Sequence, residues 1–208
     1  GDADRMLAVD ECGEVVDGDQ LMSICGNYMK QKGTLKKNTI VATVMSNLGM
    51  FLMGEREGIH IEKTKVGDRY VLENMLENGY NIGGEQSGHI IFLDENTTGD
   101  GLLSALHLLQ VMTETKKKLS ELASIMEVLP QALVNAKVPN HKKEHFEEYA
   151  EIAEAIAEVE AKFAGEGRVL IRPSGTEPLV RVMIEGKDQQ LIESEAQKLA
   201  ELISSIML

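Results

Sequence analysis

The sequence predicts an α/β chain in two parts: a three-layer α/β domain over residues 1–127 and a small α+β domain over residues 128–208. Three observations predict it. Strands and helices alternate on a short period up to about Ile125, the pattern of a sheet with helices on both faces. "TIVATVM" (Thr39 to Met45) is a β-branched run too continuous for a one-sided sheet. From Met126 the pattern changes to a few strands and two amphipathic helices, which places the hinge around residues 125–135.

The elements follow in order. Leu7–Asp10 and Glu14–Val16 are short apolar runs split by "ECG", a hairpin signal. "DGDQLMSICGNYMKQKG" has a capping aspartate, Asp17 or Asp19, apolar residues at helical spacing and a closing Gly33. After the Thr39–Met45 strand come a helix over 46–57, a strand near His60–Glu62, a helix over 68–77 and strands at 81–83 and 89–93. A long helix spans "TGDGLLSALHLLQVMTETKK", with Leu102, Leu103, Leu106, Leu109 and Met112 expected on its inner face. In the second part, "VLPQALVNAKVP" is extended, "FEEYAEIAEAIAEVEAKFAG" forms one helix closed by Gly165, and "GRVLIRPSG" and "PLVRVMIEG" are two strands joined by a loop. The last helix is capped by Asp188 and buries Ile192, Ala196, Leu199, Ile203 and Ile206.

With 208 residues and 43% hydrophobic content the chain can bury one large core or two modest ones, which excludes disorder. Its formal net charge of -13 repels phosphodiester backbones and anionic membranes, so neither nucleic acid nor membrane is expected as a partner. A local cluster of arginines and backbone N–H groups can still override that field within a screening length of about 8–10 Å. Aromatic residues are 4% and tryptophan is absent, which argues against stacked-ring platforms for sugars or single strands. Cys12 and Cys25 lack metal-ligand spacing and are read as reduced thiols of a cytoplasmic protein.

Three loops can carry chemistry. In "RVLIRPSGTEPLVR", Arg172 ends a strand, Ser174, Gly175 and Thr176 turn, and Arg181 returns on the next strand. Two guanidiniums, two hydroxyls and exposed amides suit a phosphate dianion; an ordinary Ser-Gly turn with surface arginines is the plain alternative. In "GGEQSGH", Glu85, Gln86, Ser87 and His89 offer an acceptor, an amide, a hydroxyl and a proton-transfer group, an inventory suited to vicinal sugar hydroxyls, although a glycine-rich turn with solvated polar residues is the plain alternative and His89 also fits a half-buried structural role. In the opening "GDADR", Asp2 and Asp4 can aim carboxylates at one hard cation such as Mg²⁺, and Arg5 beside them can steady a transferring phosphoryl group. Phosphate, sugar hydroxyls and metal together describe a sugar phosphate undergoing phosphoryl transfer.

These stretches resemble the α-D-phosphohexomutases, in particular their glucosamine-phosphate branch. The family's metal loop reads D-G-D-x-D-R, matched by "GDADR" from its second residue; its sugar loop G-E-x-S-G-H is matched by Gly84–His89; its phosphate loop R-P-S-G-T-E-P is matched from Arg172 to Pro178. "TKVGDRYV" and "TTGDGLLSAL" are similar to the same branch, and Gln86 at the variable position favours it over the mannose and glucose branches.

The resemblance implies that the two parts are the third and fourth domains of a four-domain isomerase that forms a homodimer. It implies an Mg²⁺ cofactor, a phosphoserine donor, a hexosamine phosphate substrate and a bisphosphate intermediate. Asp2 and Asp4 are then metal ligands, Arg5 and His89 catalytic, and Glu85, Ser87, Arg172, Ser174, Gly175, Thr176 and Arg181 substrate-binding. It also implies that "GDADR" is a severed metal loop and that the chain alone is inactive.

Overall fold

A computed structural model describes residues 1–163 and 165–208, and the chain divides into two compact units, Gly1–Val128 and Leu129–Leu208. Unit 1 opens with the expected hairpin, β1 (Ala8–Val9) against β2 (Val15–Val16). The Asp10 carboxylate closes its turn by accepting from the N–H groups of Cys12 and Glu14. Helix α1 (Gly18–Gln31) starts at a capping box in which Asp17 and Gln20 satisfy each other's backbone N–H.

A four-stranded sheet forms the middle layer, in the order β4 (His60–Thr64), β3 (Thr39–Thr43), β5 (Ile82–Gly84), β6 (Ile90–Phe92). The first three run parallel and β6 is antiparallel to β5. Strand β3 is buried along its whole length, as its continuous β-branched run predicts. Ile40 and Ala42 join the core shared with α1, α2 (Leu48–Glu57), α4 (Gly101–Thr115) and α5 (Leu119–Ala123). Val41 faces the other way, onto Val71 and Met75 of α3 (Asp68–Asn78). That alternation makes the three layers.

Helix α4 departs from expectation. Leu102, Leu106 and Leu109 are 71%, 56% and 55% exposed, whereas Ser104, Leu108 and Val111 are buried and Leu103 and Met112 flank the core. Apolar residues occur on almost every side of this helix, so periodicity alone does not choose a face. Small residues choose it: Gly101 lies so close to the opening loop that a Cβ there would meet the Arg5 carbonyl oxygen at 2.3 Å, which turns the Gly101, Ser104, Leu108 stripe inward.

Unit 2 is a three-stranded antiparallel sheet in the order β7 (Gln131–Lys137), β9 (Leu179–Gly186), β8 (Gly167–Pro173). Helices α6 (Ala150–Phe163) and α7 (Gln189–Met207) pack with Ala132, Ala136, Val180, Val182 and Ile184 of the sheet in one core. The helix expected from Phe146 begins at Ala150, after a separate 3-10 segment, Lys143–Glu148. Ala164, within that expected span, lies outside the described residues, and Gly165 takes a positive φ of 87°. On α7, Ile192, Ala196, Leu199 and Ile203 are buried as expected, while Ile206 is half-buried and Met207 takes the fully buried place.

Because side chains alternate, the opposite face of this sheet carries the other residues. Arg172 stands in register with Arg181, which in turn pairs with Asn135 on β7.

Candidate functional site

In unit 1, the β5–β6 connection Glu85–His89 is a tight turn. Glu85 N–H donates to the His89 carbonyl, and Gly88 N–H to the Glu85 carbonyl, both at 3.0 Å. Gly88 adopts φ +89° and approaches the opening loop, where Met6 N–H donates to its carbonyl at 3.1 Å. The Gln86 amide donates to Asp17 at 3.1 Å, fixing the turn to the start of α1.

This packing gathers Arg5, Glu85, Gln86 and Ser87 with Thr43, Met45 and Val66 around an open cleft of about 350 Å³ at the carboxyl end of the parallel strands. One oxygen of Glu85 accepts from Gly67 N–H at 3.1 Å, which orients the carboxylate and leaves lone pairs for hydroxyl donors. Ser87 is exposed. A larger cavity of about 500 Å³ lies between α1 and α4, lined by Thr34, Asn81 and Phe92 near the opposite end of the sheet, and contains none of the expected site residues.

His89 does not line the cleft. It is 4% exposed, with Nε2 4.0 Å from Asp4 Oδ2 and 3.9 Å from Asp68 Oδ2, and its Nδ1 makes no hydrogen bond among the described residues. Desolvation pushes against ionisation of Asp4, but the loop's own N–H, Asp2, Arg5 and His89 outweigh it and hold this carboxyl below the usual range.

Asp2 and Asp4 flank Ala3, which takes a left-handed φ of 58°. Among the described residues no three His, Cys, Asp or Glu side chains converge as a metal-binding group. The two aspartates therefore offer two hard oxygens, which fits Mg²⁺ only as a partial ligand set, the remainder coming from phosphate or water.

In unit 2, the β8–β9 turn is built around Ser174, which is 3% exposed. Its N–H donates to the Leu179 carbonyl at 2.9 Å and its Oγ accepts from Glu177 N–H at 3.2 Å, so the hydroxyl is part of the turn while its own proton stays free to donate. Gly175 and Thr176 are exposed at the tip. Arg172 and Arg181 stand directly opposite each other, an arrangement of like charges that destabilises a sheet unless an anion lies with them. Burial, then the neighbouring Arg181, lowers the pKa of Arg172, while Arg181 lies 3.4 Å from the Glu177 carboxylate. Ser174, Gly175 and Thr176 and both arginines thus sit together in this unit.

Residues 17–129 match the phosphoglucomutase/phosphomannomutase α/β/α domain III, and residues 133–202 match the C-terminal domain of the same group. The chain belongs to the phosphoglucomutase/phosphomannomutase family. Among its family relatives, the phosphoglucosamine mutases of Ruminiclostridium cellulolyticum and Acetivibrio thermocellus are 64% and 65% identical over 203 residues, covering 98% of this chain. The chain spans 45% of the length of each.

Solved structures share the fold. An N-acetylglucosamine-phosphate mutase in its product complex superposes with a TM-score of 0.77 at 24% identity, over 97% of this chain and 47% of that one. The N-acetylphosphoglucosamine mutase of Aspergillus fumigatus, in complex with GlcNAc-6P and magnesium, gives 0.78 at 19% identity, over 98% and 50%.

Within this family chain, the residues that sequence patterns did not single out are Asp68, Gly67 and Lys143. The "TKVGDRYV" motif contains the first two and is the signal that could have found them. Lys143 carries none, because only the fold brings it to the phosphate turn.

Proposed function

We propose that these two units are the sugar- and phosphate-recognition parts of a phosphoglucosamine mutase, an isomerase that interconverts glucosamine 6-phosphate and glucosamine 1-phosphate through a bisphosphate. The observation that carries this reading is the in-register Arg172 and Arg181 beside a Ser-Gly-Thr turn in which the Gly175 and Thr176 N–H groups have no acceptor among the described residues. Two guanidiniums held side by side are stabilised by a dianion, and both can bind it bidentately. The names of the 64% and 65% identical relatives support the choice of reaction.

In this reading Arg172, Ser174, Gly175, Thr176 and Arg181 grip the phosphate that is not reacting. Glu85 and Ser87 take two ring hydroxyls whose positions are equivalent in both orientations of the sugar, so one site serves either end. Arg5, at the cleft edge, stabilises charge on the reacting phosphoryl group. Asp2 and Asp4 would contribute to holding Mg²⁺, which supplies neutralisation of phosphoryl oxygen charge. His89 stands behind the cleft within 4.0 Å of Asp4 and Asp68 and helps to position Asp4. The phosphoryl group itself comes from a phosphoserine that the resemblance assigns to another part of the enzyme.

Gln86 argues for the amino-sugar branch through the motif resemblance, and its amide is engaged by Asp17. Sugar choice rests on that resemblance and on the relatives. The test is kcat/KM for glucosamine, glucose and mannose phosphates in a polypeptide extended to the length of those relatives. A preference for glucosamine phosphate is expected; a preference for mannose or glucose phosphate overturns the assignment.

A further inference from the structure

Lys143 is 8% exposed, and lysine is almost never buried so deeply without a partner. No carboxylate lies within ion-pair distance of it among the described residues. Its Nζ instead donates to the Ser174 carbonyl, and to the Glu177 carbonyl at 3.3 Å. A buried ammonium thus sits directly behind the Ser174–Glu177 turn, its charge compensated only by backbone dipoles.

That contact dictates where the turn's amides point. No described residue has a cis peptide, and in a trans peptide the C=O of one residue and the N–H of the next face opposite ways. Drawing the Ser174 carbonyl inward onto Lys143 therefore turns the Gly175 N–H outward. That N–H has no acceptor among the described residues, and apart from its chain neighbours none of them lies within 4 Å of where a Gly175 side chain would begin. An outward amide, backed by a cation and flanked by Arg172 and Arg181, is an anion-binding arrangement.

We propose that Lys143 is a positioning residue of the phosphate turn: it holds the Ser174 carbonyl so that the Gly175 N–H is presented to the bound phosphate, and it adds positive charge from behind. This rests on the phosphate-site reading above and extends it to a residue that touches no ligand.

The test is titration of the full ¹⁵N-labelled 208-residue chain with inorganic phosphate, following the Gly175 amide and the Arg172 and Arg181 Nε signals. In the unsubstituted protein the Gly175 amide shifts downfield together with the arginine signals. K143M weakens phosphate binding by about tenfold and abolishes the Gly175 shift, the loss expected for one charge-assisted contact. K143R restores both. Arginine signals that respond while Gly175 does not leave the phosphate site standing and overturn the role of Lys143, as does K143M binding like the parent. A purely structural Lys143 would lower thermal stability in K143M without altering the Gly175 response. Should K143M fail to fold, the Gly175 response of the unsubstituted chain decides. Silence from both arginines and Gly175 removes the phosphate reading itself, and this inference with it.

Discussion

Arg172 and Arg181 are separated by nine positions yet meet side by side, because a hairpin with a tight turn returns the chain in register. Arg172→Ala should weaken phosphate binding by roughly 2–4 kcal/mol, the range for removing one partner of a charge-assisted pair, and should leave the fold intact. Calorimetric titration with phosphate and a melting curve measure the two effects separately. Gly175 separates structure from function still more cleanly. Its φ is not positive and a Cβ would meet nothing, so Gly175→Ala should change stability by no more than about 0.5 kcal/mol. Phosphate affinity should nevertheless fall, because the methyl group would occupy ground the anion needs; unchanged affinity would show that the turn tip is not the binding surface. These residues were legible in the sequence because the motif is contiguous. Lys143 and Asp68 were not, since their partners lie 31 and 21 residues away and each contact exists only once the sheet has formed.

At the scale of elements, α4 shows why a helix rich in leucine misleads. Leu106→Glu should be nearly neutral for stability because the side chain faces solvent, whereas Leu108→Ala should cost about 2–4 kcal/mol through the cavity it leaves. Denaturant titration of the two variants tests the assignment of faces, and the reverse order would restore the face that periodicity suggests. Gly101→Ala drives a methyl group into the Arg5 carbonyl and should cost about 1–3 kcal/mol while displacing the loop of Asp2 and Asp4. The strands and most helix starts were readable from capping residues and β-branched runs, as at Asp17, Asp188 and β3. Helix faces were not, where every side is apolar and a glycine's close approach makes the choice.

Helices α1 and α4 are also joined by Glu114, which accepts from Lys32 at 2.7 Å and from Gln110 at 3.0 Å. Lys32 first, then Tyr28 and Gln110, pull its pKa down to about 2. A carboxyl lowered in the folded state stabilises the fold above its unfolded pKa of roughly 4.3, and that contribution fades as pH falls towards 2. An NMR titration of the Glu114 carboxyl should show the low midpoint, and Lys32→Met should move it upward. A midpoint unmoved by that substitution would mean that the ion pair does not form in solution.

For the molecule as a whole, the two thiols report folding. Cys12 is exposed in the β1–β2 hairpin, with its pKa raised by Asp10 first and then by desolvation, Glu11 and Glu14; Cys25 is buried and pushed up to about 12. A thiol reagent should therefore modify one cysteine slowly in the native chain, faster as pH rises, and both only after unfolding. No described helix is long and apolar enough to cross a membrane. In the proposed reading the two units carry different chemistry, a carboxylate and hydroxyl set at Glu85 and Ser87 in unit 1 and a cationic amide set at Arg172–Arg181 in unit 2. Titrating the labelled chain with glucosamine 6-phosphate tests this most directly. The account predicts that amides of residues 172–181 shift with glucosamine 6-phosphate and with inorganic phosphate alike, and that amides of residues 84–89 shift with glucosamine 6-phosphate but not with inorganic phosphate. Silence of either stretch towards glucosamine 6-phosphate would contradict it.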